Sequence, residues 1–401
     1  MRFSSAVFLV SFCLIQAPTA RADVWETTGI WNDAAEVRYS DWIKNSFTER
    51  FFLEGDWAQI ETDCADAVYG SRMIFSYLNG LPFSLSATEI KVTNSSKDFD
   101  SISNPVERVR AFLAYVNNRT WTGTLSKHTY PVAITRETIV PGVIWLKPGH
   151  VETVRKIRDG GAVELRGSWL PAAIRQMITV TQLGNVPRKP VHGFRRWIWP
   201  QNLLKPLSAQ PGFDNLQQTM IAPASVGETL DEASGETVLK KPSALETYYD
   251  VSKFESAVQA ALAVAPETRV ERADRLSSDF CALVKSRSQV VRAGYGFSQA
   301  ARRCMNEKEY YAYSTPSRDS NLRRVVIGLG LEFGNNLNEV RQLLDRCEPV
   351  AISDTESVKP YEFFRHLLML DYSSNPHETP AARFGLAPVE RVCVSPDDDE
   401  P

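Results

Sequence analysis

Apolar residues first recur at helical spacing in Asp41-Trp42-Ile43-Lys44-Asn45-Ser46-Phe47, which predicts a helix within residues 39–52. A second helix is predicted over 64–78, with Ala67, Val68, Ile74, Phe75 and Leu78 on its apolar face. Asp63 is placed to cap it, Asp66 follows three residues on as in a capping box, and Asn79-Gly80 with Pro82 ends it. A third helix is predicted over 104–117, with Pro105 in its first turn and Val109, Phe112, Leu113 and Val116 on one side. From about Tyr130 the period shortens. Ile139 to Trp145, Val151 to Ile157 and Ala162 to Leu165 read as strands, with Asp159-Gly160-Gly161 as a turn. A short helix is expected over 171–178, after Pro171. Helical spacing returns late in the chain, most clearly in Phe254 to Val264, Glu271 to Lys285, Leu322 to Leu344 and Pro360 to Leu370.

Helices first and antiparallel strands after them predict an α+β fold in which a helix packs on a small antiparallel sheet. We place this unit at residues 23–200. Residues 201–243 are richer in Pro, Gly, Ser, Thr and Gln and read as a linker or extended wrap. Residues 244–393 form a mainly α-helical region, and 394–401 an acidic tail expected to be disordered.

Composition narrows the function classes. The formal net charge of −3 offers no overall positive field for nucleic acid. No internal apolar run is long enough to span a bilayer. Residues 1–22 read as a secretory signal: a basic start, a short apolar stretch, then Ala20-Arg21-Ala22. The expected location is therefore secreted or periplasmic. Loss of that segment takes Cys13 with it and leaves five of the six cysteines. Cys281, Cys304, Cys347 and Cys393 group late in the chain and predict two disulfides, with three pairings open. Cys64 stands alone and is expected to be the reactive thiol. With neither His-x-x-x-His nor Cys-x-x-Cys spacing, no metal or other cofactor is expected.

Cys64 lies in Thr62-Asp63-Cys64-Ala65-Asp66-Ala67, at a predicted helix start. His150 lies in Pro141-Gly142-Val143-Ile144-Trp145-Leu146-Lys147-Pro148-Gly149-His150-Val151, between two predicted strands. A helix start favours the thiolate, and an imidazole serves as its base and then as acid to the leaving group. The two segments together resemble the nucleophile turn and histidine strand of the NlpC-type papain-like hydrolases, over residues 55–170. Gly142 stands where that family usually has Asp, and Ala65-Asp66 where it usually has Ser-Gly. The resemblance implies a papain-like fold and a third polar residue that orients the imidazole, for which Glu164, Arg166 and Ser168 are candidates. Glu164 has the chemistry and Ser168 the position. Gln59 is the candidate side-chain donor to an oxyanion hole that includes the Cys64 N–H. Asp63 and Asp66 fit capping better than catalysis, since a carboxylate beside a thiol raises its pKa. Among the remaining histidines, His128, His192 and His377 are expected on loops or the surface, and His366 in a structural role. Arg195-Arg196-Trp197-Ile198-Trp199 offers sugar stacking and anion binding, or anchors a chain crossing; the anchoring role is the expectation.

The expected function is an exported cysteine hydrolase that cleaves an amide bond, with peptide or peptidoglycan as substrate by resemblance. The alternative is a catalytically inactive papain-like binding or assembly protein of the cell envelope, with an envelope protein as partner. Acyl transfer to an amine is the third reading.

Overall fold

In a computed structural model, the described residues are 23–87, 90–221, 228–230, 237–239, 244–334, 336–389 and 393. The expected signal segment and most of the acidic tail lie outside them.

Helix α1 spans Asp33–Asn45 and begins earlier than its apolar spacing suggested, because Asn32 caps it by accepting the Ala35 N–H at 2.9 Å. Helix α2 spans Cys64–Leu78, as predicted. Asp63 accepts the Asp66 N–H and Asp66 the Asp63 N–H, both at 2.9 Å, so the capping box forms. A small hairpin, β1 (Ser84–Ala87) and β2 (Ile90–Thr93), leads to α3 (Pro105–Asn117), capped by Asn104. Helix α4 (Thr122–His128) then delivers the chain to the main sheet.

That sheet contains β3 (Thr129–Pro131), β4 (Ile144–Lys147), β5 (His150–Ile157), β6 (Val163–Gly167), β7 (Ile178–Val180) and β8 (Gly193–Trp197). It is antiparallel throughout, in the order β3-β8-β4-β5-β6-β7. Strand β4 starts later than expected because Gly142 turns the chain at φ +93°. The helix expected over 171–178 is absent. Thr62 and Ala173 instead exchange backbone hydrogen bonds, and the Met177 N–H donates to Glu49. The segment's backbone groups are met by the chain leading into α2, which leaves no need for a helical ladder.

The expected linker holds two short 3-10 turns and then a short helix, α5 (Gln217–Met220), whose Gln218 amide bonds the backbone of Val132 and Phe194. The C-terminal region is mainly helical: α6 (Ala244–Leu262), α7 (Arg269–Ala301), α8 (Glu307–Tyr313), α9 (Pro316–Phe333), α10 (Leu337–Leu344), α11 (Pro360–Met369) and α12 (Pro380–Arg383). The continuous helix expected over 322–344 is broken in two. Gly334 takes a left-handed conformation at φ +55° and stops α9.

The sheet is covered on both faces. Ile144, Leu146, Val151 and Trp197 pack with the apolar sides of α1, α2 and α3. Trp145, Val154, Leu165 and Phe194 pack with Phe254, Val258, Phe280 and Leu283 of the C-terminal helices. One core therefore joins the sheet to the helical region. Two disulfides, Cys281–Cys347 and Cys304–Cys393, select one of the three open pairings. No helix among the described residues is long and apolar enough to cross a membrane. The disulfides are compatible with an exported protein.

Candidate active site around Cys64 and His150

The histidine is positioned by a tight hairpin. Lys147 pairs with His150 across β4 and β5, and Pro148-Gly149 fills the turn. Pro supplies a fixed φ and Gly149 the left-handed residue at φ +69°. His150 is thereby the first residue of β5. Gly142 has its own reason: a Cβ there would lie 2.6 Å from the Tyr39 ring. No carboxylate side chain fits at that position.

Cys64 is the first residue of α2 and meets β5 edge-on. Strand β6 ends at Gly167, while Thr153 pairs with Arg166. The Val151 amide, one donor further toward the hairpin, passes beyond the end of that strand. Its N–H lies on the Cys64 side and favours the thiolate form of that residue. The nucleophile candidate thus lies beside the backbone of the residue that follows His150.

The two side chains have separate immediate surroundings. Strand alternation turns Val151 toward α2, and turns His150 and Glu152 toward the C-terminal helices. The imidazole stacks on Trp169, with ring centroids 4.0 Å apart. Its Nε2 lies 3.5 Å from Glu152 Oε1, and the other carboxylate oxygen of Glu152 lies 3.0 Å from Lys147 Nζ. Arg318, from the first turn of α9, is close enough to act electrostatically on both Cys64 and His150.

These surroundings decide the protonation states. Burial, reinforced by Asp63, pushes the Cys64 thiol up to about 12. Burial holds the His150 imidazolium below its usual range, against the pull of Glu152. Glu152 is buried, yet Lys147 and His150 hold its carboxyl down to about 2. At neutral pH the site therefore contains a thiol, a neutral imidazole and a carboxylate. The freely reactive thiol expected from the sequence is not present in this form: Cys64 is only 2% exposed.

The remaining candidates are placed as follows. Glu164 sits at the far end of β5 and β6, bound by Arg155 at 2.5 Å and Arg158 at 3.0 Å, and does not orient His150. Arg166 is turned away to the Thr179 hydroxyl and the Phe47 carbonyl. Ser168 is buried beside the site, but its hydroxyl donates to the Thr62 carbonyl at 2.9 Å and so ties β6 to the approach to α2. Gln59 is exposed, in a left-handed conformation at φ +64°, and lines a recess with Asp63, Asp66 and Arg110 away from His150. His128, expected on the surface, is buried, with Nδ1 2.8 Å from the Tyr69 hydroxyl. Arg195 is buried and donates to Thr129, Pro190 and Ser126, while Trp199 donates to Glu36, which serves anchoring.

Sequence reasoning missed Glu152, Trp169 and Arg318. Glu152 carried a usable signal, since residues two apart on a strand share a face. Trp169 and Arg318 carried none, because one follows the end of a strand and the other comes from a distant helix.

Comparison with family models, with curated proteins and with solved structures finds no match for this chain.

Proposed function

We propose that the protein is an exported cysteine hydrolase of papain-like type that cleaves an amide bond, with Cys64 as nucleophile and His150 as base and acid. The supporting observation is the approach of the Val151 N–H, which favours the Cys64 thiolate and sets a capped helix start against the backbone beside a buried imidazole 3.5 Å from Glu152. In the reaction, Cys64 Sγ bonds to the substrate carbonyl carbon while His150 accepts the thiol proton. The developing oxyanion is met by the Cys64 N–H, one of the donors a helix start leaves without an intrahelical partner. The carbon–nitrogen bond then breaks and the imidazolium protonates the departing amine. Water, deprotonated by His150, attacks the thioester; the carbon–sulfur bond breaks and the proton returns to sulfur. Glu152 takes the orienting role in place of Glu164 and Ser168, because an imidazolium is stabilised by a carboxylate beside it.

Peptidoglycan peptide is the first substrate to test. The full mature chain, Cys64→Ala and His150→Ala are incubated with purified peptidoglycan, and soluble fragments are read by mass spectrometry. New amine termini are expected from the first protein alone. Equal release by Cys64→Ala would exclude the reading.

A second reading, a binding or assembly protein without turnover, is favoured by the burial of Cys64 and by its thiol held near 12. It predicts retention on peptidoglycan with no new termini.

A further inference from the structure

A cavity of about 470 Å³ lies between the Lys147–His150 hairpin, the Trp169-Leu170 segment and the start of α9. Its composition is one-sided. Lys147, Arg318 and Arg324 line it and no Asp or Glu does, though Lys147 is already paired with Glu152 behind the wall. Arg324 Nη2, which donates to Asn321 Oδ1, and Lys147 Nζ converge over Gly184, at 3.0 and 3.6 Å from where a Cβ would stand. Ser317, Ser320 and Asn321 supply neutral hydrogen-bonding groups around them.

Arg318 is the decisive residue. It is 5% exposed, and its Nη2 donates to the Leu170 carbonyl at 2.7 Å. Its buried Nε has no hydrogen-bond partner, nor has the buried Nε of Arg324. Behind Arg318, the buried Arg287 is bonded to Asp319, and Arg383 reaches backbone carbonyls and Thr315. Arg318 and Arg383 are both held down to about 9, by burial first and then by neighbouring arginines. Unpaired guanidinium donors in a buried setting are costly, and an anion in the cavity would remove that cost. The first turn of the eighteen-residue helix α9 adds partial positive charge at the same place.

We infer that this cavity is an anion site that takes a carboxylate, with the Arg318 and Arg324 guanidiniums as its donors. A single-charge, planar group matches the few donors left open. On the hydrolase reading, on which this assignment of substrate class rests, the carboxylate belongs to the substrate, either an acidic side chain or a free peptide C-terminus near the cleaved bond.

The test is calorimetric and uses the full mature chain carrying Cys64→Ser, so that no turnover is needed. Four probes are titrated: N-acetyl-Ala-Glu-Ala-amide, N-acetyl-Ala-Ala-Ala with a free C-terminus, the neutral N-acetyl-Ala-Gln-Ala-amide, and inorganic phosphate. Binding of either carboxylate peptide, with the neutral one at least about tenfold weaker, is expected, and the stronger of the two identifies the source of the carboxylate. Arg324→Gln and, separately, Arg318→Lys should each weaken that binding about tenfold in proteins whose circular dichroism matches the parent. Equal binding of the neutral peptide, binding of phosphate alone, no binding at all, or undiminished binding by both folded variants would overturn the proposal. Carboxylate binding without any Cys64-dependent turnover of peptidoglycan upholds the anion site and removes the hydrolase reading.

Discussion

At the scale of single residues, two carboxyls with opposite shifts make the site testable by pH. Glu152 is held down to about 2 by Lys147 and His150 despite its burial. It contributes stability that is present above the unfolded carboxylate range and is lost as pH falls toward 2. Glu152→Gln strips Lys147 of its partner and should cost about 3 kcal/mol at pH 7. Thermal denaturation should show that deficit shrinking as pH falls from 5 to 2; a constant deficit would contradict the pairing. Asp66 is raised to about 7 by burial and by Asp63. Its contribution is full below the unfolded value of 3.8 and is lost as pH rises through about 7. Asp66→Asn keeps an acceptor for the Asp63 N–H and should flatten the stability profile between pH 4 and 7. Retention of the wild-type slope would show that another group is responsible.

At the scale of elements, the sequence was informative wherever the determinant was local. The Asp63–Asp66 box and the Asp159-Gly160-Gly161 turn each depend on residues a few positions apart, and each formed as read, whereas Leu78, expected on the apolar face of α2, is exposed. Segment 171–178 failed because its backbone partners are Glu49 and Thr62, far away in sequence. The split between α9 and α10 was signalled only by Gly334, which continuous apolar spacing on either side obscured. In the candidate site, Cys64 and His150 stood out by residue type and spacing. Glu164 misled because its charge suited the role, whereas its strand position placed it between Arg155 and Arg158. Two substitutions check these elements by urea denaturation. Asp63→Ala should cost about 1 kcal/mol through loss of the cap. Gly142→Ala should cost about 2 kcal/mol or more, since it meets both a left-handed backbone and the Tyr39 ring. A neutral Gly142→Ala would contradict the close approach of α1 to the turn before β4.

At the scale of the whole molecule, the C-terminal helices do more than follow the sheet. They cover its second face and deliver Arg318 to the neighbourhood of Cys64 and His150. A chain ending at residue 243 would expose Trp145, Val154, Leu165 and Phe194 together. Such a chain is expected to aggregate, and the intact protein is expected to give a single species in size-exclusion chromatography. A well-behaved truncated monomer would show that the sheet needs no cover on that side. Cys64 is protonated at rest for a different reason: it is buried with the N-terminal helices in the core on the other face of the sheet, beside Asp63.

The central claim is that His150 acts as the base for Cys64, and the most direct measurement is the rate of iodoacetamide modification at Cys64, followed by mass spectrometry at pH 8. In the native protein the modification should be slower than in urea, yet His150→Ala should slow it further, by about a hundredfold, while the two unfolded chains react alike. If Cys64 is modified only as fast as the protein globally unfolds, and at the same rate in both proteins, the thiol and imidazole do not work together and the claim is wrong.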